Sequence, residues 1–224
     1  MLLGLFTGEV TVTGVLIRIF CVLLCLTIHE VAHGFAALKL GDATAKNMGR
    51  LTLNPIPHID PVGGLLLLMG GFGWAKPVPV DARNFTRKIN MRTGMAITAF
   101  AGPLSNLLFA FVIMLIDAIL WNSGVLFGIG NNALDTYMTF YYSLVGLNIG
   151  LAVFNLIPLP PLDGSWILSS FLPYRLHNQY MRIQRFGFLI LILLVVSPIG
   201  NFLVFLVNHI YRFYNWVIQL LPFV

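Results

Sequence analysis

Residues 12–39 read VTGVLIRIFCVLLCLTIHEVAHGFAALK, an apolar run with Arg18 near one end and Lys39 closing the other. The run is longer than the ~20 residues a helix needs to cross a bilayer. Inside it lie His29-Glu30-Val31-Ala32-His33. Positions four apart share one face of a helix, so His29 and His33 can grip one zinc ion. Glu30 then sits beside the metal as a candidate general base. Two imidazoles and a carboxylate are expensive to bury at bilayer depth, so such groups point to function by default.

The remaining composition agrees with a membrane protein. The 224 residues are 58% hydrophobic and 9% charged, whereas an ordinary soluble domain is about a quarter charged. Net charge is +5. With no dense Lys/Arg run and no nucleic-acid motif, that excess fits cytoplasmic loops and predicts no nucleic-acid partner. Residues 1–18 lack a basic n-region and a small-residue cleavage site, so no removable signal peptide is expected. Cys21 and Cys25 both fall in the first apolar run, and they form no secreted-type disulfide framework.

Charge patterning lays out the spans. After the first run, residues 40–60 are polar and carry Asn54-Pro55-Ile56-Pro57-His58-Ile59-Asp60-Pro61, whose X-Pro steps oppose a regular helix. Residues 61–75 are uncharged but too short to span, and read as a re-entrant or short extended segment. Gly70-Gly71-Phe72-Gly73 and Pro77-Val78-Pro79-Val80 favour extended, irregular backbone. Uncharged stretches at Thr93–Ile116 and Thr136–Leu162 predict two further spans. Pro198 and Gly200 divide a last apolar region into spans at about 181–197 and 200–220. The expectation is an all-α integral membrane fold of about five transmembrane helices, forming one membrane-embedded domain over 1–224. The basic loops 40–92 and 164–185 are expected on the cytoplasmic side and 118–135 outside, which leaves the C-terminus cytoplasmic.

A catalytic zinc wants three protein ligands and one open position. A third His at position 39 is replaced by Lys39, and no Glu follows Glu30. Cys21 lies roughly 12 Å along the helix from His29, too far for a bond near 2 Å. Cys25 reaches only if His33 lets go, so both cysteines read as small buried hydrophobes. Asp163 is the best remaining donor. It ends a long uncharged span on the same side as Lys39, and Pro158, Pro160 and Pro161 break the helix before it. Its competing role is to cap the short helix that follows. His58 and Asp60 remain as alternative ligands or supports for the ligands, against an ordinary role in ordering a Pro-rich turn.

Together, His29-Glu30-Val31-Ala32-His33 and the downstream Asn155-Leu156-Ile157-Pro158-Leu159-Pro160-Pro161-Leu162-Asp163-Gly164 resemble the site-2 protease family of intramembrane zinc metalloproteases. The resemblance covers nearly the whole chain and is closest to the short bacterial type without a PDZ domain. It implies one zinc per chain held by His29, His33 and Asp163, with Glu30 as the base. Asn155 would stabilise the oxyanion or hold the substrate backbone. Gly71-Phe72-Gly73 looks like the family's segment that receives substrate as an added strand. Ala101-Gly102-Pro103 and Ser105-Asn106 match the motif of the family's central span and are expected to serve packing. The implied partners are a membrane-protein substrate and the lipid bilayer, the implied location is the bacterial cytoplasmic membrane, and the oligomeric state is left open. Two other classes compete: a zinc-binding membrane protein that no longer cleaves, and an ion or metal transporter. The acid at Glu30 argues against the first, and the lack of an internal repeat against the second.

Overall fold

The computed structural model describes residues 11–70, 73–187, 189, 190, 193 and 199–222. Helix α1 runs from Val12 to Lys39, with the Thr11 side chain accepting the Gly14 N–H at its start. Its buried face carries Cys21, Cys25 and His29 at four-residue steps, while Leu16, Phe20 and Phe35 face outward. A polar stripe would be needed on that outer face in water; here it is apolar, as lipid requires. Gly41, with φ of 110°, turns the chain out of the helix, a conformation that favours glycine.

The loop that follows is compact. It holds helix α2 at Thr44–Asn47, a 3-10 turn at Ile56–His58 and helix α3 at Pro61–Gly70. Ten residues of helix reach only ~15 Å, so α3 is too short to span, as its uncharged length predicts. An extended stretch returns beneath it, joined by an antiparallel bridge between Ile59 and Ala75. Gly63 permits that return, because a Cβ there would lie 2.2 Å from the Trp74 carbonyl oxygen.

Helix α4 spans Met91–Asn122 and begins where Asn90 accepts the Arg92 N–H. Helix α5 spans Asn131–Asn155. Helix α4 extends past the expected span at both ends, while α5 starts earlier than expected and stops at Asn155, so the connecting loop shrinks. Asp117 sits inside α4, where the Tyr137 hydroxyl of α5 donates to it at 2.6 Å. A tyrosine partner removes the cost that would have ended the helix at that acid.

Short helices α6 (Asp163–Phe171) and α7 (Tyr174–Met181) lead to α8 (Ile199–Gln219). Helix α4 packs against α1, α5 and α6, and α1 also meets α5. Leu203, Leu206, Val207, Ile210 and Tyr214 of α8 recur at helical spacing and pack on Ala110, Met114, Tyr141 and Val145. Phe202, Phe205, Phe213 and Trp216 face away from that core.

The fold is therefore all-α and integral to the membrane. Among the described residues, α1, α4 and α5 are the three helices long and apolar enough to cross a membrane. Part of the expected span at 181–197 lies outside the described residues, as do Gly71 and Phe72; within it, Arg182–Phe186 form a 3-10 turn.

Candidate metal centre

The two histidines of α1 stand one turn apart, and their Nε2 atoms are 3.0 Å from each other. Each ring is set by a partner on its other nitrogen. His33 Nδ1 lies 2.7 Å from the Thr98 carbonyl oxygen. A carbonyl only accepts, so this nitrogen carries the hydrogen and Nε2 keeps its lone pair. His29 Nδ1 lies 2.7 Å from Asn106 Oδ1. The amide of Asn106 is oriented by its own bonds, with Nδ2 donating to the Cys25 carbonyl at 3.1 Å and to Asn148 Oδ1 at 2.7 Å. Its oxygen must accept from His29, so that Nε2 is also unprotonated. Asn106 and Asn148 are completely buried, with no exposed surface.

Asp163 supplies the third donor. Its Oδ2 lies 3.1 Å from His29 Nε2 and 3.4 Å from His33 Nε2. That oxygen is buried and has no hydrogen-bond donor among the described residues. Helix α6 begins beside it, yet no side chain caps that terminus, so the capping role is not what holds Asp163. With both rings neutral, three lone-pair atoms converge, an arrangement that a shared cation satisfies. Ligand atoms about 2.0–2.1 Å from a tetrahedral zinc lie roughly 3.3 Å apart, and the observed separations bracket that value. Two imidazole nitrogens and one carboxylate oxygen fit zinc with a fourth position open.

Local sequence explains how the donors meet. Gly102 lets α4 approach: a Cβ there would lie 2.5 Å from His33 Nε2 and 2.7 Å from His29 Cε1. Gly164 does the same for α6, where a Cβ would lie 2.3 Å from the Leu156 carbonyl oxygen. The prolines after Asn155 end α5, and the Tyr180 hydroxyl donates to the Pro158 carbonyl at 2.6 Å, bracing the turn.

The donors open onto a cavity of about 650 Å³ that is also lined by Glu30, Gly73, Val78, Asn155 and Trp166. Glu30 Oε2 accepts the main-chain N–H of Val78 at 2.7 Å. Asn155 Nδ2 donates to the Leu151 carbonyl, one turn back along α5, at 3.0 Å; an amide nitrogen carries two hydrogens, so this bond leaves one for another acceptor.

Two sequence candidates stand apart from the cluster, which consists of His29, His33 and Asp163. Asp60 Oδ1 accepts the N–H groups of Val62 and Gly63 and starts α3. His58 Nε2 donates to the Thr52 carbonyl at 3.0 Å, and its own carbonyl accepts the Lys76 N–H. Both order the Pro-rich turn, and neither takes a place at the centre. The packing role expected for Asn106 needs correction as well, because it contacts a donor ring directly; Gly102 keeps the expected packing role by making room for both rings. The signal was available: an Asn in an uncharged span must find partners for its amide.

The chain matches the model of "Peptidase family M50" over residues 17–197. It is 37% identical over 185 residues to "Putative zinc metalloprotease YwhC" of Bacillus subtilis, covering 82% of each chain. It is 27% identical over 184 residues to "Putative zinc metalloprotease Rip2" of Mycolicibacterium smegmatis, covering 80% of this chain and 66% of that one. A Mycobacterium tuberculosis protein named "Putative zinc metalloprotease Rip2" is 27% identical over 192 residues. No solved structure matches the chain.

Proposed function

This chain belongs to peptidase family M50, the site-2 protease family of zinc metalloproteases, and from that premise we propose that it is an intramembrane endopeptidase. Its substrates are transmembrane or membrane-proximal segments of other membrane proteins. The observation that carries this reading is the convergence of three lone-pair donors beside an acid, at the wall of a cavity between apolar helices.

His29, His33 and Asp163 are the residues that would hold one zinc. When bound, the ion supplies Lewis acidity that acidifies water and polarises a carbonyl. Thr98 and Asn106 keep both imidazoles in the tautomer that offers Nε2. Glu30 takes a proton from the attacking water, whose oxygen bonds to the scissile carbonyl carbon. As the C–N bond breaks, Glu30 returns that proton to the departing amine, so one water is consumed per bond cut. Asn155 offers its remaining N–H to the developing negative oxygen. A helical substrate hides its peptide bonds, so it must unwind first. The stretch from Gly73 to Val78 beside the cavity would replace the lost hydrogen bonds by strand addition, the role the resemblance gives to Gly71-Phe72-Gly73. Residues 40–92 and 164–185 face the bacterial cytoplasm, as does the C-terminus, which puts the catalytic face on that side.

The test compares membrane proteomes of cells carrying the wild-type chain or Glu30→Gln. Membrane-protein fragments should appear only with the wild type, while the purified variant keeps its zinc. Identical fragment patterns would refute the protease reading. Asn155→Ala should retain zinc and lose roughly 10²–10³ in kcat. Normal turnover would leave Asn155 only its bond to the Leu151 carbonyl.

A further inference from the structure

Glu30 is held by something outside its own helix. In Pro77-Val78-Pro79, both prolines lack an N–H, so Val78 carries the only donor of the three. That donor goes to Glu30 Oε2 at 2.7 Å, across 48 residues of sequence. The segment around it is anchored at both ends. Ahead of it, Ala75 bridges Ile59, Lys76 N–H donates to the His58 carbonyl at 2.8 Å, and Arg50 Nη2 donates to the Lys76 carbonyl at 2.7 Å. Behind it, the Asp81 N–H donates to Asp42 Oδ2 at 2.7 Å. The Val78 side chain is buried and packs at Gly34, where a Cβ would lie 3.1 Å from Val78 Cγ1. A glycine one turn after Glu30 thus lets the segment lie close against α1.

We propose that the main-chain N–H of Val78 is a positioning group for Glu30: it occupies one carboxylate oxygen and presents the other to the water and the leaving amine. This rests on the protease reading above. A glutamate on a helix surface has three rotatable torsions, and proton transfer needs its oxygen within hydrogen-bond reach of the water. Fixing one oxygen removes most of that freedom before substrate arrives, which is where preorganisation contributes to rate. The sequence pattern points the same way. If the segment needed only extended backbone, a third proline would serve at 78; the residue there instead keeps the one donor that meets the acid.

The experiment uses the full chain in vesicles, loaded with zinc, and a substrate taken from the proteome comparison. Replacing Val78 by α-hydroxyisovaleric acid through nonsense suppression turns the amide into an ester. That removes the N–H and keeps the side chain. Val78→Pro removes the same donor, and the ester stands in its place if the proline variant fails to fold. Val78→Leu keeps the donor. The ester should lower kcat ~10²-fold, the scale on which small misplacements act, with KM and zinc content unchanged, and Val78→Leu should lose much less. Independently of turnover, the 15N-labelled Val78 amide proton should move upfield when Glu30 is replaced by Ala. An ester variant with full kcat, a loss confined to KM, lost zinc, or an amide proton that ignores Glu30→Ala each overturns the proposal. A faster ester variant also overturns it, since the bond would then restrain the acid instead of aiming it. If the wild type cleaves nothing, or Glu30→Gln cleaves equally well, the protease reading itself fails and this inference with it.

Discussion

His29 presents a lone pair because Asn106 holds its other ring nitrogen, and Asn106 can do so because Cys25 and Asn148 hold Asn106. Such orienting partners typically contribute 10–100-fold in metal affinity. Asn106→Leu should therefore weaken zinc binding by roughly that factor, read by competition with a chelator of known affinity. Unchanged affinity would mean that contact with Gly102 alone sets the ring. At this scale the sequence was legible where spacing implies chemistry: His29, Glu30 and His33 are readable because a four-residue step on a helix shares a face. Asp163 was readable only by eliminating other donors. Asn106 reads in the sequence as an amide needing partners, but which partner it finds was not legible, since that ring lies on a different helix.

Among the elements, the loop between α1 and α4 depends on one buried acid. Asp42 accepts the N–H of Thr44 at 3.0 Å, Asn84 Nδ2 at 2.9 Å and the Asp81 N–H at 2.7 Å, together with the Thr44 hydroxyl. Burial raises the pKa of the Asp42 carboxyl, but hydrogen bonds from Thr44, Asn84 and Asp81 outweigh it and leave the group below its ordinary value. A carboxylate depressed in the folded state stabilises above its unfolded pKa of ~3.9 and loses that contribution as pH falls through the folded value. Asp42→Asn should cost ~2–3 kcal/mol at neutral pH, since hydrogen bonds to a charged group are the strong ones. The cost should shrink in acid, and thermal unfolding of both forms across pH measures it. A cost independent of pH would show that the charge of Asp42 is not what clasps the loop. The X-Pro steps foretold irregular backbone here, but no local pattern foretold that Asp42 would reach forward to residue 81.

For the whole molecule, the arrangement of basic loops predicts sidedness. Single cysteines at Ser123, in the turn after α4, and at Ser170, in α6, should label from opposite sides of the membrane in a chain with Cys21 and Cys25 replaced. Labelling from one side would overturn the orientation. The sequence alone was enough for the class of protein, because apolar length and charge placement answer to the bilayer and not to any particular partner. It was also enough for the first two metal donors, because helix geometry alone relates His29 to His33. Only the tertiary structure decided the rest. The separation of 130 positions between His33 and Asp163 closes to 3.4 Å because Gly102 and Gly164 permit close packing. Val78 reaches Glu30, and Asn106 reaches His29, from segments far along the chain. His58 and Asp60, nearer in sequence, are held away by the turn they build. Contacts of this kind arise from packing and hydrogen-bond satisfaction between distant segments, and no local periodicity encodes them.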